Sequence, residues 1–146
     1  MSLKQWADNG WIKTHKTSKE EIANLLAIVD RDLADANKEN ISPDSRFGLA
    51  YNAALKLCTI LLQASGYRAD RARHHYVTLQ AMPWVLGNDR KTDAQYLDTC
   101  RNKRNIAEYH YVGSVTDGDV VELVAFADEL KSTVLAWLKE KHPSLC

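Results

Sequence analysis

The segment RNKRNIAEYHY, residues 101–111, carries three cations, two amides, a carboxylate, two tyrosines and a histidine. The forked donors of an arginine suit phosphate or carboxylate oxygens, and an imidazole titrates close to neutral pH. The segment therefore combines residue types that bind anions with one, His110, that can accept or donate a proton.

Helical periodicity places one of these cations on an apolar face. The steps of three and four that mark an inward-facing seam run through Leu97, Cys100, Arg104, Ala107 and Tyr111. A guanidinium facing a core is costly unless it is paired or reaches water, because arginine does not lose its proton. Two interpretations stay open: a structural salt bridge from Arg104 to Glu108, four residues on, or a functional anion site.

Composition limits the class of protein. The chain has 146 residues, 45% of them hydrophobic, which predicts one domain spanning 1–146 with its core at about 17–140. Lysine plus arginine equals aspartate plus glutamate at 19 each, so no global field attracts nucleic acid or an anionic membrane, and any anion site must be local. No signal peptide and no segment of bilayer-spanning length is expected, which indicates a cytoplasmic protein.

The pattern of apolar residues predicts an all-α fold, an antiparallel up-and-down bundle of four to five helices, with no competing strand pattern. Trp6 and Trp11 are expected to cover one end of the bundle. Helices are predicted over residues 18–38, from Asp44 or Ser45 to Gly66, over about 73–86 with a kink or stop at Pro83, from Thr92 to Tyr109 or Tyr111, and from Thr116–Asp119 to just before Pro143.

A second polar cluster, YRADRARHHY, opens the third predicted helix. Its cations and imidazoles are Arg68, Arg71, Arg73, His74 and His75, between Tyr67 and Tyr76. A basic stretch beside aromatic rings can bind single-stranded RNA, although such a run is more often a solvated loop. The adjacent histidines point to different sides of a helix and lack a nearby cysteine or carboxylate at ligand spacing, so no metal site is predicted. The sequence also lacks the glycine-rich and zinc-protease motifs that would indicate a cofactor.

Arg104, Asn105 and His110 resemble the signature of the HEPN domain superfamily, in which four to six residues separate an arginine, usually followed by a polar residue, from a histidine. The resemblance covers about residues 17–140. Its other parts are the helix DSRFGLAYNAALKL, the exit ASGYR, the HH that opens the next helix, and RNKRNIAEY before a final long helix. It implies a helical bundle that forms a homodimer, with the signature residues of both chains at a shared cleft.

The resemblance also implies metal-independent cleavage of RNA, with no cofactor. Arg104 would hold the phosphate, Asn105 would orient it, and His110 would move a proton to or from the ribose or the leaving oxygen. The substrate-binding residues would be Arg101, Glu108, Tyr109, Tyr111, Arg68, His74 and His75.

The histidine departs from the commonest family spacing by one position. On a regular helix His110 would lie about 120° around and about 9 Å along the axis from Arg104. Either the helix must unwind before Gly113, or a partner chain must supply one of the groups.

Two functions remain open at this stage. One is a small ribonuclease of toxin or defence type, acting as a homodimer. The other is a binding module without catalysis, in which the same arginines hold a nucleotide or a partner protein, such as a separately encoded minimal nucleotidyltransferase or antitoxin. The apolar circumference predicted for the second helix, together with Tyr109 and Tyr111, also favours a dimer.

Overall fold

The helix at residues 43–64 lies at the centre of a helical bundle. The structure, a computed structural model, describes residues 2–70 and 74–146. Its elements are α1 (Leu3–Asp8), β1 (Ile12–Thr14), α2 (Lys19–Ala36), α3 (Pro43–Ala64), β2 (Tyr67–Ala69), α4 (His74–Gln80), α5 (Met82–Leu86), α6 (Lys91–Tyr109) and α7 (Asp117–Lys141), with 3₁₀ turns at Asn88–Arg90 and Pro143–Leu145. The predicted all-α helical bundle is confirmed.

Helix α3 is the core helix, because α2, α6 and α7 all pack against it. Asp44 or Ser45 was expected to cap it, but the cap is Ser42, two or three residues earlier. Pro43 occupies the first turn, and the Ser42 side chain accepts a hydrogen bond from the Ser45 backbone. At 22 residues α3 is long and apolar enough to cross a membrane, so the expectation that no segment has this length was wrong. Most of its apolar side chains are buried inside the fold, as in the core helix of a bundle. Because the chain itself covers α3, this helix offers no apolar surface to a second copy.

The third predicted helix is divided in two. Helix α4 ends at Gln80, and α5 begins at Met82 with Pro83 in its first turn. Proline has no N–H to donate to the turn before it, which accounts for the break. Gly87, at φ 126°, then ends α5. The predicted start of this segment at Arg73, together with Arg71, lies outside the described residues.

A two-stranded antiparallel sheet joins the N-terminal segment to the chain leaving α3, contrary to the prediction of no strands. In its register Ile12 lies opposite Ala69, and Lys13 lies opposite Arg68. Strands of three residues are too short to give an alternating pattern in the sequence.

A second apolar cluster lies beside the sheet. Its buried members are Trp6, Ile12, Leu62, Val77 and Ala81. The ring centroid of Trp6 lies 6.2 Å from that of Trp11 and 6.1 Å from that of Trp84. Because Val77 and Ala81 come from α4 and the turn after it, the N-terminal segment helps to fix the helix that begins with His74 and His75.

Candidate functional site

Helix α6 ends between Arg104 and His110, the two residues that a regular helix would point in different directions. Tyr109 is its last residue, and His110 follows as the cap, at φ −128° and ψ −51°. The backbone N–H groups of His110 and Tyr111 both donate to the carbonyl of Ile106, at 2.9 Å. The helix therefore stops before Gly113, which is one of the two outcomes that the spacing of Arg104 and His110 required.

A cavity of about 460 Å³ lies at this end of α6, and we call it the arginine cavity. It is lined by Arg101, Arg104, Asn105, Tyr109, His110 and, from α4, His75. The structure thus brings all three predicted catalytic residues to one cavity, together with three of the predicted substrate-binding residues.

Arg104 is tied to its own helix but is not enclosed. Its Nη2 lies 3.3 Å from Oε2 of Glu108, and its Nη1 donates to Oδ1 of Asn105 at 3.1 Å. Its guanidinium carbon lies 6.0 Å from the ring centroid of Tyr51, within the range of a cation–π contact. The predicted salt bridge to Glu108 is present, yet the Arg104 side chain is 24% exposed, which leaves it accessible to an anion.

The apolar seam of α6 continues past Arg104 to Ala107, which is partly buried against the core. Leu97 and Cys100 are buried, whereas Tyr111, which was predicted to continue the seam, is 70% exposed because the chain has already left the helix. That prediction for Tyr111 was wrong.

Arg101 is held in a similar way one turn earlier. Its Nε donates to Oδ1 of Asp98 at 2.9 Å, and its guanidinium carbon lies 5.8 Å from the ring centroid of Tyr76. Tyr76 is itself half exposed. Two oriented guanidiniums and an accessible aromatic ring therefore face the same region.

His75 is held against Tyr51. The Tyr51 hydroxyl and His75 Nδ1 are hydrogen-bonded at 3.1 Å, and the two rings stack with an interplanar angle of 25°. Burial lowers the pKa of His75 to about 4, assisted by the positive charges of His74, Arg104, Lys56 and Arg101. His75 is therefore a neutral imidazole at pH 7.

A second cavity, of about 550 Å³, adjoins the first and shares His75 and Arg104 with it. We call it the Asn52 cavity. Its walls come from α2, α3, α4 and α6, and it contains the carboxylates of Asp32, Asp44 and Glu108 as well as Asn52 and Gly48. Glu108, predicted to contact substrate, lies here rather than in the arginine cavity.

Three predicted substrate-binding residues lie away from both cavities. Arg68 is exposed on β2, His74 contacts His75 edge-on at 5.2 Å between ring centroids, and Tyr111 is in solvent. None of the three lines either cavity. Within the described part of the predicted second cluster, His75 lines both cavities and Tyr76 contacts Arg101. Within residues 2–70 and 74–146, no three His, Cys, Asp or Glu side chains are arranged so that they could hold a metal ion together.

Sequence reasoning missed Tyr51, Asn52 and Asp32. Tyr51 and Asn52 interrupt the apolar helix α3, and that interruption was the available signal. Asp32 is 1% exposed, and its importance depends on a contact with Asn52 that no local spacing reveals.

No protein-family model matches the chain, and neither curated proteins nor solved structures include one that matches it. The similarity to HEPN domains therefore rests on the residues quoted above.

Proposed function

We propose that this chain binds RNA and cleaves it without a metal ion, as a HEPN-like endoribonuclease of toxin or defence type in the cytoplasm. The observation that supports the proposal most is the arginine cavity, where Arg101 and Arg104 lie with His110 and His75. Two guanidiniums and two imidazoles are the groups that phosphodiester cleavage needs.

Binding depends on local charge, since the chain has no net charge. Arg101 and Arg104 hold the non-bridging oxygens of one phosphate, and the hydrogen bond from Arg104 to Asn105 fixes the orientation of the guanidinium. Tyr76 and Tyr109, 51% and 69% exposed, offer faces on which unpaired bases stack. These features favour single-stranded RNA over a duplex.

Cleavage uses the ribose 2′-hydroxyl as the nucleophile. In the tautomer in which His75 Nδ1 donates to the Tyr51 oxygen, Nε2 of His75 is free to accept the 2′-hydroxyl proton. The 2′-oxygen then bonds to phosphorus while the bond from phosphorus to the 5′-oxygen breaks. His110 donates a proton to that departing oxygen. The products are a 2′,3′-cyclic phosphate and a 5′-hydroxyl, and Arg104 stabilises the charge that builds on the phosphoryl oxygens.

The test is cleavage of a labelled single-stranded RNA, with the product ends identified by mass spectrometry. We expect wild type to leave cyclic phosphate ends, and the His110→Ala and His75→Ala variants to lose about 10²–10⁴-fold in rate. The control is Arg90→Ala, which removes an ion-paired arginine at the other end of α6 and should leave the rate unchanged. Equal cleavage by His110→Ala and wild type would refute the assignment.

One observation favours the second function, a binding module without catalysis. His110 is exposed, and its ring makes no hydrogen bond to any described residue, so nothing within 2–70 and 74–146 orients it. In that case Arg104 and Arg101 hold a nucleotide or a partner such as a nucleotidyltransferase or antitoxin. Growth arrest on expression that Arg104→Ala relieves supports the nuclease, whereas healthy growth with tight nucleotide binding supports the module.

Exposed apolar residues at the end of α6 and just after it support association of two copies. Tyr109, which lines the arginine cavity, and the nearby Tyr111 and Val112 are 69%, 70% and 96% exposed. A homodimer joined here would bring the two cavities together. Sedimentation should show a dimer that Val112→Asp dissociates, and a wild-type monomer at micromolar concentration would contradict this part of the proposal.

A further inference from the structure

The Asn52 cavity has the size and position of a nucleoside subsite. Its volume of about 550 Å³ lies in the range of small-molecule sites, roughly 300–1,000 Å³. Because His75 and Arg104 line both cavities, a nucleotide whose phosphate binds Arg104 has its base within reach of the Asn52 cavity. Resting on the proposed RNA binding, we infer that this cavity recognises the base next to the bound phosphate and selects bases that carry an exocyclic amino group.

Asn52 supplies an oriented amide. Its Nδ2 donates to Oδ2 of Asp32 at 2.6 Å, and Oδ1 of Asp32 accepts from Nε of Arg31 at 2.9 Å. A carboxylate has no proton to donate, so the nitrogen of the amide must face Asp32 and the carbonyl must face the other way. Asn52 makes no other hydrogen bond to a described residue. A buried carboxylate is costly, and here it fixes an amide whose oxygen and second N–H remain for a ligand.

Glu108, on α6, supplies an acceptor in the same cavity. Its Oε2 pairs with Arg104, while its Oε1 lies 3.7 Å from the point where a Cβ on residue 48 would be. Gly48 therefore leaves space beside that oxygen. A carboxylate oxygen attracts the N–H of an amino group and repels the carbonyl oxygen that replaces it in uracil or hypoxanthine.

Asp44 adds negative potential to the same cavity. Its Oδ2 accepts from the Gly113 backbone at 2.9 Å, and its buried Oδ1 has no hydrogen-bond partner among the described residues. An acidic wall that accepts hydrogen bonds, beside an amide that both donates and accepts, matches the edge of cytosine, adenine or guanine better than that of uracil.

Two matched pairs of nucleotides test the inference by calorimetry. The first pair is cytidine and uridine 3′-monophosphate, and the second is adenosine and inosine 3′-monophosphate. In each pair the first base carries an amino group beside an unprotonated ring nitrogen, and the second carries a carbonyl beside a ring N–H. We expect the amino member to bind about tenfold more tightly, the effect of one lost hydrogen bond to a charged group. Tighter binding of the amino member in either pair supports the inference. Equal affinities within both pairs, or tighter binding of the carbonyl members, overturn it.

Substitutions at Gly48 locate the preference. Gly48→Leu should fill the space beside Glu108 and remove the amino preference while leaving the affinity for inorganic phosphate. Gly48→Ala is the matched control, because its Cβ meets Glu108 at an ordinary contact distance. This variant should keep the preference for the amino member. A preference that survives in a folded Gly48→Leu protein overturns the assignment to this cavity.

Arg104→Ala separates this inference from the proposed function. If it weakens binding of all four nucleotides and of phosphate, but wild type shows no amino preference, then base selection alone is wrong. If it changes nothing, the phosphate site itself is wrong.

Discussion

Replacing Arg104 by methionine distinguishes a ligand site from a structural ion pair. Methionine keeps an unbranched apolar stem and removes the guanidinium. The pair with Glu108 is partly exposed on both sides, at 24% and 42%, so its loss should lower the free energy of unfolding by only about 0.2–1 kcal/mol. Charge-assisted hydrogen bonds to a phosphate are worth about 1.5–3 kcal/mol, and at 1.4 kcal/mol per tenfold their loss weakens binding by about 10- to 100-fold.

The assays are urea denaturation followed by circular dichroism and fluorescence anisotropy of a labelled single-stranded RNA. Arg90→Met is the matched control, because Arg90, the residue just before α6, pairs with Asp93 at 3.1 Å and its side chain is 28% exposed. We expect both variants to have similar stability and only Arg104→Met to bind weakly. The reasoning is refuted if Arg104→Met loses 3–5 kcal/mol of stability, the cost of breaking a buried pair, while its folded fraction binds RNA as wild type does.

Three further predictions concern the same molecule. Gly48→Ala should raise the free energy of unfolding by about 0.5–1 kcal/mol, because glycine is a poor residue inside a helix and its neighbour leaves room for a methyl group; a lower urea midpoint would contradict this. The pKa of His75 is about 4 in the folded protein and 6.5 in the unfolded chain, so the unfolded chain binds the proton first and stability is lost as pH falls from about 6.5 towards 4. His75→Gln should reduce this loss of stability by about 1 kcal/mol after solvent screening, as measured by urea denaturation at pH 7 and at pH 4.5. The same loss in wild type and in His75→Gln would count against the neutral imidazole. A thiol reagent should modify Cys146 at once and Cys58 and Cys100 only on unfolding, since burial raises the pKa of both buried thiols.

The long helices were predictable because their signals are local. Ser18 caps α2 by accepting from the Glu21 backbone, and Thr116 and Asp119 form a complete capping box at α7. Ser18 and Glu21 have the spacing of a capping box too, but the Glu21 side chain does not complete it: its carboxylate lies 2.8 Å from Nε2 of His15. That contact joins residues from different elements, and no spacing in the sequence indicates it.

Some residues of the candidate site could likewise be predicted from local spacing, and others could not. Arg101, Arg104 and Asn105 are neighbours on one helix, so their clustering follows from helical geometry alone. The position of His110 depended on where α6 ends, which capping statistics leave uncertain by a residue or two. His75 was expected at the site from the resemblance to HEPN domains. No local spacing indicates that it meets Arg101 and Arg104, because that meeting depends on the packing of α4 against α6.

The salt dependence of RNA binding tests the central claim most directly, because it counts the phosphate contacts that a protein makes. For single strands the logarithm of the binding constant changes with the logarithm of salt by about −0.7 per phosphate contact. Because Arg101 and Arg104 hold one phosphate between them, changing both to glutamine should make the slope shallower by about 0.7. Arg90→Gln should leave the slope unchanged. A double variant that binds single-stranded RNA with the affinity and slope of wild type would contradict the account.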